Sequence, residues 1–226
     1  MNVVRTADGS SSLFVADLNE HYHSIHGAVR ESMHVFIGYG LMSLPAGMHT
    51  VRIFEMGFGT GLNALLTYYQ TLGGGKEIQY TGIDAFPIGQ DYLSQLNYPG
   101  YLGYPDAGKV YHRMTGTPWG EPVDVSHHFT LLKIQAGIEA YDLRDFYDLV
   151  YYDAFSPEVQ PECWEPEIFF RIHQHMNPGG ILVTYSSKGS VKRALKQVGF
   201  IVEKLPGPPG KREILRGKIE ESNYEG

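Results

Sequence analysis

Residues 51–56 hold four apolar positions, broken by Arg52 and Glu55, before a glycine cluster ends them, the pattern of a short strand buried in a sheet. Beyond the cluster, Leu62, Leu65, Leu66, Tyr69 and Leu72 recur at helical spacing, which predicts a helix beginning at the glycines. Residues 78–83 form a second strand pattern ending in Asp84, and Pro87 suits the first turn of a short helix reaching about Leu96. Further along, 129–134 and 147–152 predict strands, 165–175 a helix, 180–185 a strand, and 191–198 a helix that Gly199 ends. Residues 200–204 and 212–216 give two last strands. Nearer the start, alternating runs on either side of Asp8-Gly9 predict a hairpin, and about Ala28 to Ile37 a helix. Residues 97–125 are rich in Gly, Pro and Tyr, carry Trp119 and show no clear period, and they read as a long insertion packed over a sheet edge. Alternating strands and helices imply a largely parallel sheet. The expectation is one α/β domain over 1–226: a hairpin and cap helix in 1–50, then a Rossmann-like core in 51–226 interrupted at about 97–125.

A chain of 226 residues with 42% hydrophobic and 19% charged residues is an ordinary globular protein with room for a large core. No apolar run approaches the roughly 20 residues of a membrane span, and the first residues lack the basic start and apolar core of a secretory signal. A single cysteine, Cys163, allows no internal disulfide, so a reducing cytoplasm is expected. The net charge of −7 is unevenly spread: residues 186–218 hold nine Lys/Arg against two acids, a local +7, leaving −14 for the rest. Such a segment suits a polyanion met by one face, or equally a solvated helix balanced by acidic neighbours.

The glycine cluster reads Glu55-Met56-Gly57-Phe58-Gly59-Thr60-Gly61, between strand and helix. Glycines there let the backbone turn tightly and approach a ligand closely. The order differs from the G-x-G-x-x-G of dinucleotide sites, which seat a pyrophosphate on the helix N-terminus. S-adenosylmethionine (SAM) has no phosphate, its methionine end tolerates an acid such as Glu55, and Asp84 ends the next strand where a carboxylate accepts bonds from ribose hydroxyls. SAM is therefore expected over NAD or a purely structural turn. The sequence Asp153-Ala154-Phe155-Ser156-Pro157 follows another strand and should face the same crevice. An acid and an aromatic two residues apart suit methyl transfer to nitrogen, with Asp153 orienting an amine and Phe155 walling its pocket; a turn acid and a core Phe are the plain alternative.

Several segments together resemble one family. Gly27-Ala28, Glu31-Ser32 and Val35-Phe36-Ile37, then IFEMGFGTGLNALLT (53–67), DAFSPEVQPECW (153–164), GGILVTYSSKGSVKRALKQVGF (179–200) and GPPGKREIL (207–215) cover nearly the whole chain. They resemble the methyltransferase half of the MnmC family, also found alone as MnmD, which completes 5-methylaminomethyl-2-thiouridine at the tRNA wobble position. The resemblance implies a class I SAM-dependent methyltransferase with an N-terminal hairpin and cap, acting on the primary amine of 5-aminomethyluridine. It implies Glu55, Gly57, Gly59 and Gly61 at SAM and Asp84 at its ribose, with Asp153 and Phe155 at the amine, Asp153 also touching the cofactor. Glu31, Lys188, Lys211 and Arg212 match motif positions and are expected at the substrate or tRNA, as are Lys192, Arg193 and Lys196 along one face of the 191–198 helix. The chain departs from the family at Gln135, where Asp is usual near adenine, and at Cys163, where Leu is usual. Many relatives carry a fused flavin oxidoreductase that makes the aminomethyl substrate. None is present up to Gly226, so the chain is expected to methylate only, to bind the tRNA anticodon stem-loop and to receive its amine from another enzyme. Methyl transfer needs no metal, and His21, His23 and His26 are assigned as strand or loop residues. Rival expectations are an NAD-dependent oxidoreductase, an aminopropyltransferase or other small-amine methyltransferase, and a tRNA-binding module without turnover.

Overall fold

The computed structural model describes residues 1–221. It opens with a small antiparallel sheet of β1 (Asn2–Arg5), β2 (Ser11–Val15) and β3 (Glu20–His21), followed by α1 (Ala28–Ser32). Asp8 ties these pieces together. Its carboxylate accepts bonds from Thr6 Oγ1 at 2.8 Å and Ser10 N at 2.9 Å within the hairpin turn, and from Arg30 N at 3.0 Å in the first turn of α1. Gly27, at φ +143°, leaves room for that carboxylate, since a Cβ there would lie 2.6 Å from Asp8 Oδ2. The helix expected to Ile37 holds α geometry only to Ser32 and continues as wider π-type turns through Met33–Gly38.

The main body contains β4 (Thr50–Met56), α2 (Leu62–Thr71), β5 (Glu77–Asp84), α3 (Gln90–Leu93), α4 (Tyr98–Leu102), α5 (Ala107–Gly116), β6 (Pro122–Ser126), β7 (Phe129–Gln135), β8 (Tyr147–Tyr152), α6 (Pro166–His173), β9 (Met176–Thr184), α7 (Gly189–Gln197), β10 (Ile201–Pro206) and β11 (Glu213–Lys218). They form one eight-stranded sheet in the order β10-β11-β9-β8-β4-β5-β7-β6. The five strands from β9 to β7 pair in parallel, and β6, β10 and β11 add antiparallel edges. Alternation along each strand divides the core. Val51 and Ile53 with Leu149 and Tyr151 face α1, α2 and α5, whereas Phe54 and Met56 with Val150 and Tyr152 face α6 and α7. β8 is buried along its whole length, as expected of a central parallel strand. Each large apolar side chain so buried contributes about 1.5–3 kcal/mol.

Two expectations are corrected here. Pro87 lies outside any helix, and the short helix behind it covers only Gln90–Leu93. Residues 97–125 form two helices and the edge strand β6 instead of a long loop; Ala107, Val110, Tyr111 and Met114 of α5 are buried against the sheet at helical spacing. No described helix is long and apolar enough to cross a membrane.

Candidate active site

β4 delivers the glycine cluster to the carboxyl edge of the sheet, where ligands of open α/β sheets bind. Gly57 sits at φ +88°, and a Cβ on it would lie 2.5 Å from the carbonyl oxygen of Asp153. Glycine is thus required twice, by conformation and by the passage of the 153–157 loop directly across it. Asp153 N completes the junction with a 2.9 Å bond to Met56 O. Asp84, at the end of β5, accepts Gly59 N at 2.8 Å and Phe86 N at 2.9 Å; burial still pushes its carboxyl upward.

Behind this loop lies a network that no single motif announces. Glu55 is buried and accepts Tyr80 OH and Asn63 Nδ2, both at 2.8 Å. The same Asn63 amide nitrogen donates to Asp153 Oδ2 at 2.9 Å, so one side chain bridges the carboxylate of β4 and that of the 153–157 loop. Burial, followed by the neighbouring Asp153, lifts Glu55 well above the usual carboxylate range. Asp153 is pushed up to about 7, first by burial and then by Glu31, with the Asn63 bond and Lys211 pulling it down.

The N-terminal segment closes the space above. Tyr22 packs edge-on against Phe155 at 5.0 Å between ring centroids. Glu20 accepts Ser156 Oγ at 3.1 Å. Glu31, buried in α1, accepts Ser24 N at 2.9 Å and pairs with Lys211 Nζ at 2.7 Å; that ammonium also stands 4.0 Å above the ring of Tyr185. Tyr185 in turn donates to Ala154 O at 2.9 Å. The result is a cavity of about 510 Å³ walled by the glycine loop, Asp84, residues 136–139, the 153–156 loop and the 20–25 segment. Six carboxylate residues line it (Glu20, Glu31, Asp84, Glu139, Asp153 and Glu162) against one Lys/Arg, Lys211.

Of the residues singled out in the sequence, Gly57, Gly59, Asp84, Asp153, Phe155, Glu31 and Lys211 meet around this cavity. Glu55 stands one layer behind it through Asn63, and Gly61 shapes the entry into α2 at φ +73°. Gln135 does not reach the wall, which residues 136–139 supply instead. Lys211, expected at the substrate or tRNA, turns its ammonium inward to Glu31 and Tyr185 in the wall of the cavity. Lys188 pairs with Glu158, while Lys204, Arg216 and Lys218 pair with Glu213 or Glu203 inside the β10–β11 hairpin. Among the described residues this leaves Lys192, Arg193, Lys196 and Arg212 as the cations of that segment without an ion pair. The first three alternate with the buried Val191, Ala194 and Leu195 of α7 and so lie on its outer face. Sequence reading missed Asn63, Tyr22 and Tyr185. Asn63 alone left a signal, as a polar residue among the leucines that open α2.

Residues 121–220 match a family described as S-adenosyl-L-methionine-dependent methyltransferase. The chain is 31% identical over 87% of its length to the tRNA 5-methylaminomethyl-2-thiouridine biosynthesis bifunctional protein MnmC of Idiomarina loihiensis, covering 35% of that protein. It is 30% identical over 95% of its length to the protein of the same name from Chromohalobacter salexigens, covering 32% of it. It therefore spans about a third of the length of the curated relatives it matches. A solved structure, MNMC2 from Aquifex aeolicus, has the same fold, with a TM-score of 0.79 over 97% of this chain and 70% of that one at 24% identity. With its glycine loop laid against an acid–aromatic loop at the carboxyl edge of the sheet, the chain matches an S-adenosyl-L-methionine-dependent methyltransferase family over residues 121–220 and is similar along most of its own length to about a third of the length of the MnmC bifunctional proteins.

Proposed function

We propose that the protein methylates the primary amine of 5-aminomethyluridine, with or without the 2-thio group, at the tRNA wobble position, giving the 5-methylaminomethyl nucleoside. The observation that carries this reading is the contact between the two halves of the cavity, Gly57 against the backbone of Asp153, in a lining of six carboxylates and one lysine. An acidic cavity welcomes cations and is a poor seat for a pyrophosphate, which opposes a dinucleotide. The residues present fit SAM: open glycine backbone, Asp84 at a strand end for hydroxyl groups, and carboxylates for a positive ligand. When bound, SAM supplies an electrophilic methyl group on a sulfonium.

The chain's own residues must present a nitrogen lone pair. A primary alkyl amine with a pKa of about 10.4 is neutral in only about one molecule per thousand near pH 7. Asp153 alone favours the ammonium, whereas loss of water and any second cation in the cavity favour the neutral amine. Asp153, fixed by Asn63, accepts an N–H and aims the lone pair, while Phe155 and Tyr22 wall the pocket and exclude water. The upstream partner is an enzyme that delivers the free aminomethyl group. The decisive experiment is mass analysis of wobble nucleosides in tRNA from cells lacking the gene: the unmethylated aminomethyl nucleoside should accumulate, and an unchanged nucleoside profile would defeat the proposal.

Lys192, Arg193, Lys196 and Arg212 form the proposed seat for the anticodon stem-loop, since their charges are free to meet phosphates. Replacing Lys192, Arg193 and Lys196 by alanine should lower tRNA affinity and flatten the plot of log affinity against log salt by about two to three units. An unchanged slope in a filter-binding titration would remove this face from the interface.

A further inference from the structure

Within the methyl-transfer reading above, on which this inference rests, the inward turn of Lys211 demands a role other than RNA contact. Its ammonium lies in the lining of the reaction cavity, 2.7 Å from Glu31 Oε1 and 4.0 Å above Tyr185. Glu31 reaches the pair from α1 and Lys211 from the turn between β10 and β11, segments about 180 residues apart in the chain. We propose that the Glu31–Lys211 ion pair balances charge inside the amine pocket, a pair of positioning residues that together hold Asp153 ready to receive the substrate nitrogen.

The surroundings of Asp153 leave few other groups for this task. Glu55 from β4 shares Asn63 with it, and Tyr80 from β5 bonds Glu55. Tyr98 from α4 and Tyr185 just after β9 also feel the charge of Asp153, and burial keeps both phenols neutral well into alkaline solution. Asp84 stands beyond the glycine loop. Lys211 is the cation whose charge reaches Asp153, and it opposes Glu31: the carboxylate raises Asp153 and the ammonium lowers it. An unpaired Glu31 would drive Asp153 toward the protonated acid, whose O–H would donate to the amine nitrogen and occupy the lone pair that transfer needs. An unpaired Lys211 would repel an incoming ammonium. The pair avoids both.

The test is the pH profile of kcat/KM for methyl transfer to tRNA bearing 5-aminomethyl-2-thiouridine, in the full-length protein. Glu31→Gln should move the acidic limb down and Lys211→Met should move it up, each by about one pH unit. The double variant should return the limb close to its original position, and Lys211→Arg should leave it there. Lost packing alone does not produce opposite shifts that cancel. Where Lys211→Met fails to fold, Lys211→Gln takes its place, with the same upward shift expected. Shifts in one direction, no shift, or a Lys211→Met variant whose tRNA affinity loses salt dependence as a phosphate contact does would overturn the proposal. Failure of the unaltered protein to methylate this tRNA at any pH would instead overturn the reading beneath it.

Discussion

Replacing Asp153 with alanine lowers the rate of methyl transfer about a thousandfold while the affinity for SAM stays within about threefold, on the scale of lost general-base and orienting groups. The asymmetry follows from the hydrogen bonds. Removing the carboxylate deletes one of two acceptors for Asn63 Nδ2, and Glu55 keeps the other with Tyr80 still in place. The cofactor side therefore retains its support while the amine loses the group that aims it. Single-turnover transfer from labelled SAM, set beside calorimetric SAM binding, separates the two quantities. Equal losses in both would move Asp153 into the cofactor site, and an Asp153→Asn variant that transfers at the original rate would show that its charge is unnecessary.

Gly57→Ala acts on the other half and is expected to weaken SAM binding about a hundredfold or more. The left-handed backbone at φ +88° costs an alanine roughly 1–2 kcal/mol. The added Cβ meets the Asp153 carbonyl at 2.5 Å, and backbone on both sides leaves little room to yield. A hundredfold loss corresponds to about 2.8 kcal/mol, within reach of these two effects together. Because the same clash displaces the 153–157 loop, turnover should fall as well, unlike the selective defect at Asp153. Calorimetry and circular dichroism on the purified variant check this, and SAM binding at the original affinity would mean that the loop does not need its present contact.

The strands carrying the site are legible because central parallel strands are largely apolar, and β4, β5 and β8 each run into segments that line the cavity. The glycine loop, Asp84 and the 153–157 loop can be read for the same reason, as each interrupts a strand pattern at its carboxyl end. The α5 helix is harder to see, since its buried Ala107, Val110, Tyr111 and Met114 stand among Gly108, Lys109, His112 and Gly116, residues that dilute an apolar stripe. Asn63 bridges Glu55 and Asp153 from a helix start, a relation across 8 and 90 positions that only the assembled sheet creates. The pairing of Lys211 with Glu31 is not legible, because a Gly/Pro turn says nothing of which way its side chain leans.

The roof of the cavity joins residues 20–34 to the turn at 206–211: His34 Nε2 lies 2.8 Å from Pro206 O, and the imidazole of His26 fills the space a side chain at Gly210 would need. During synthesis the first partner of this contact waits for nearly two hundred further residues before the second exists. A ribosome-bound fragment ending before β11 would thus hold the glycine loop and Asp153 yet leave the amine pocket unsealed to water. Closure of the cavity therefore waits until the turn between β10 and β11 meets the N-terminal segment over parallel strands that are already in place.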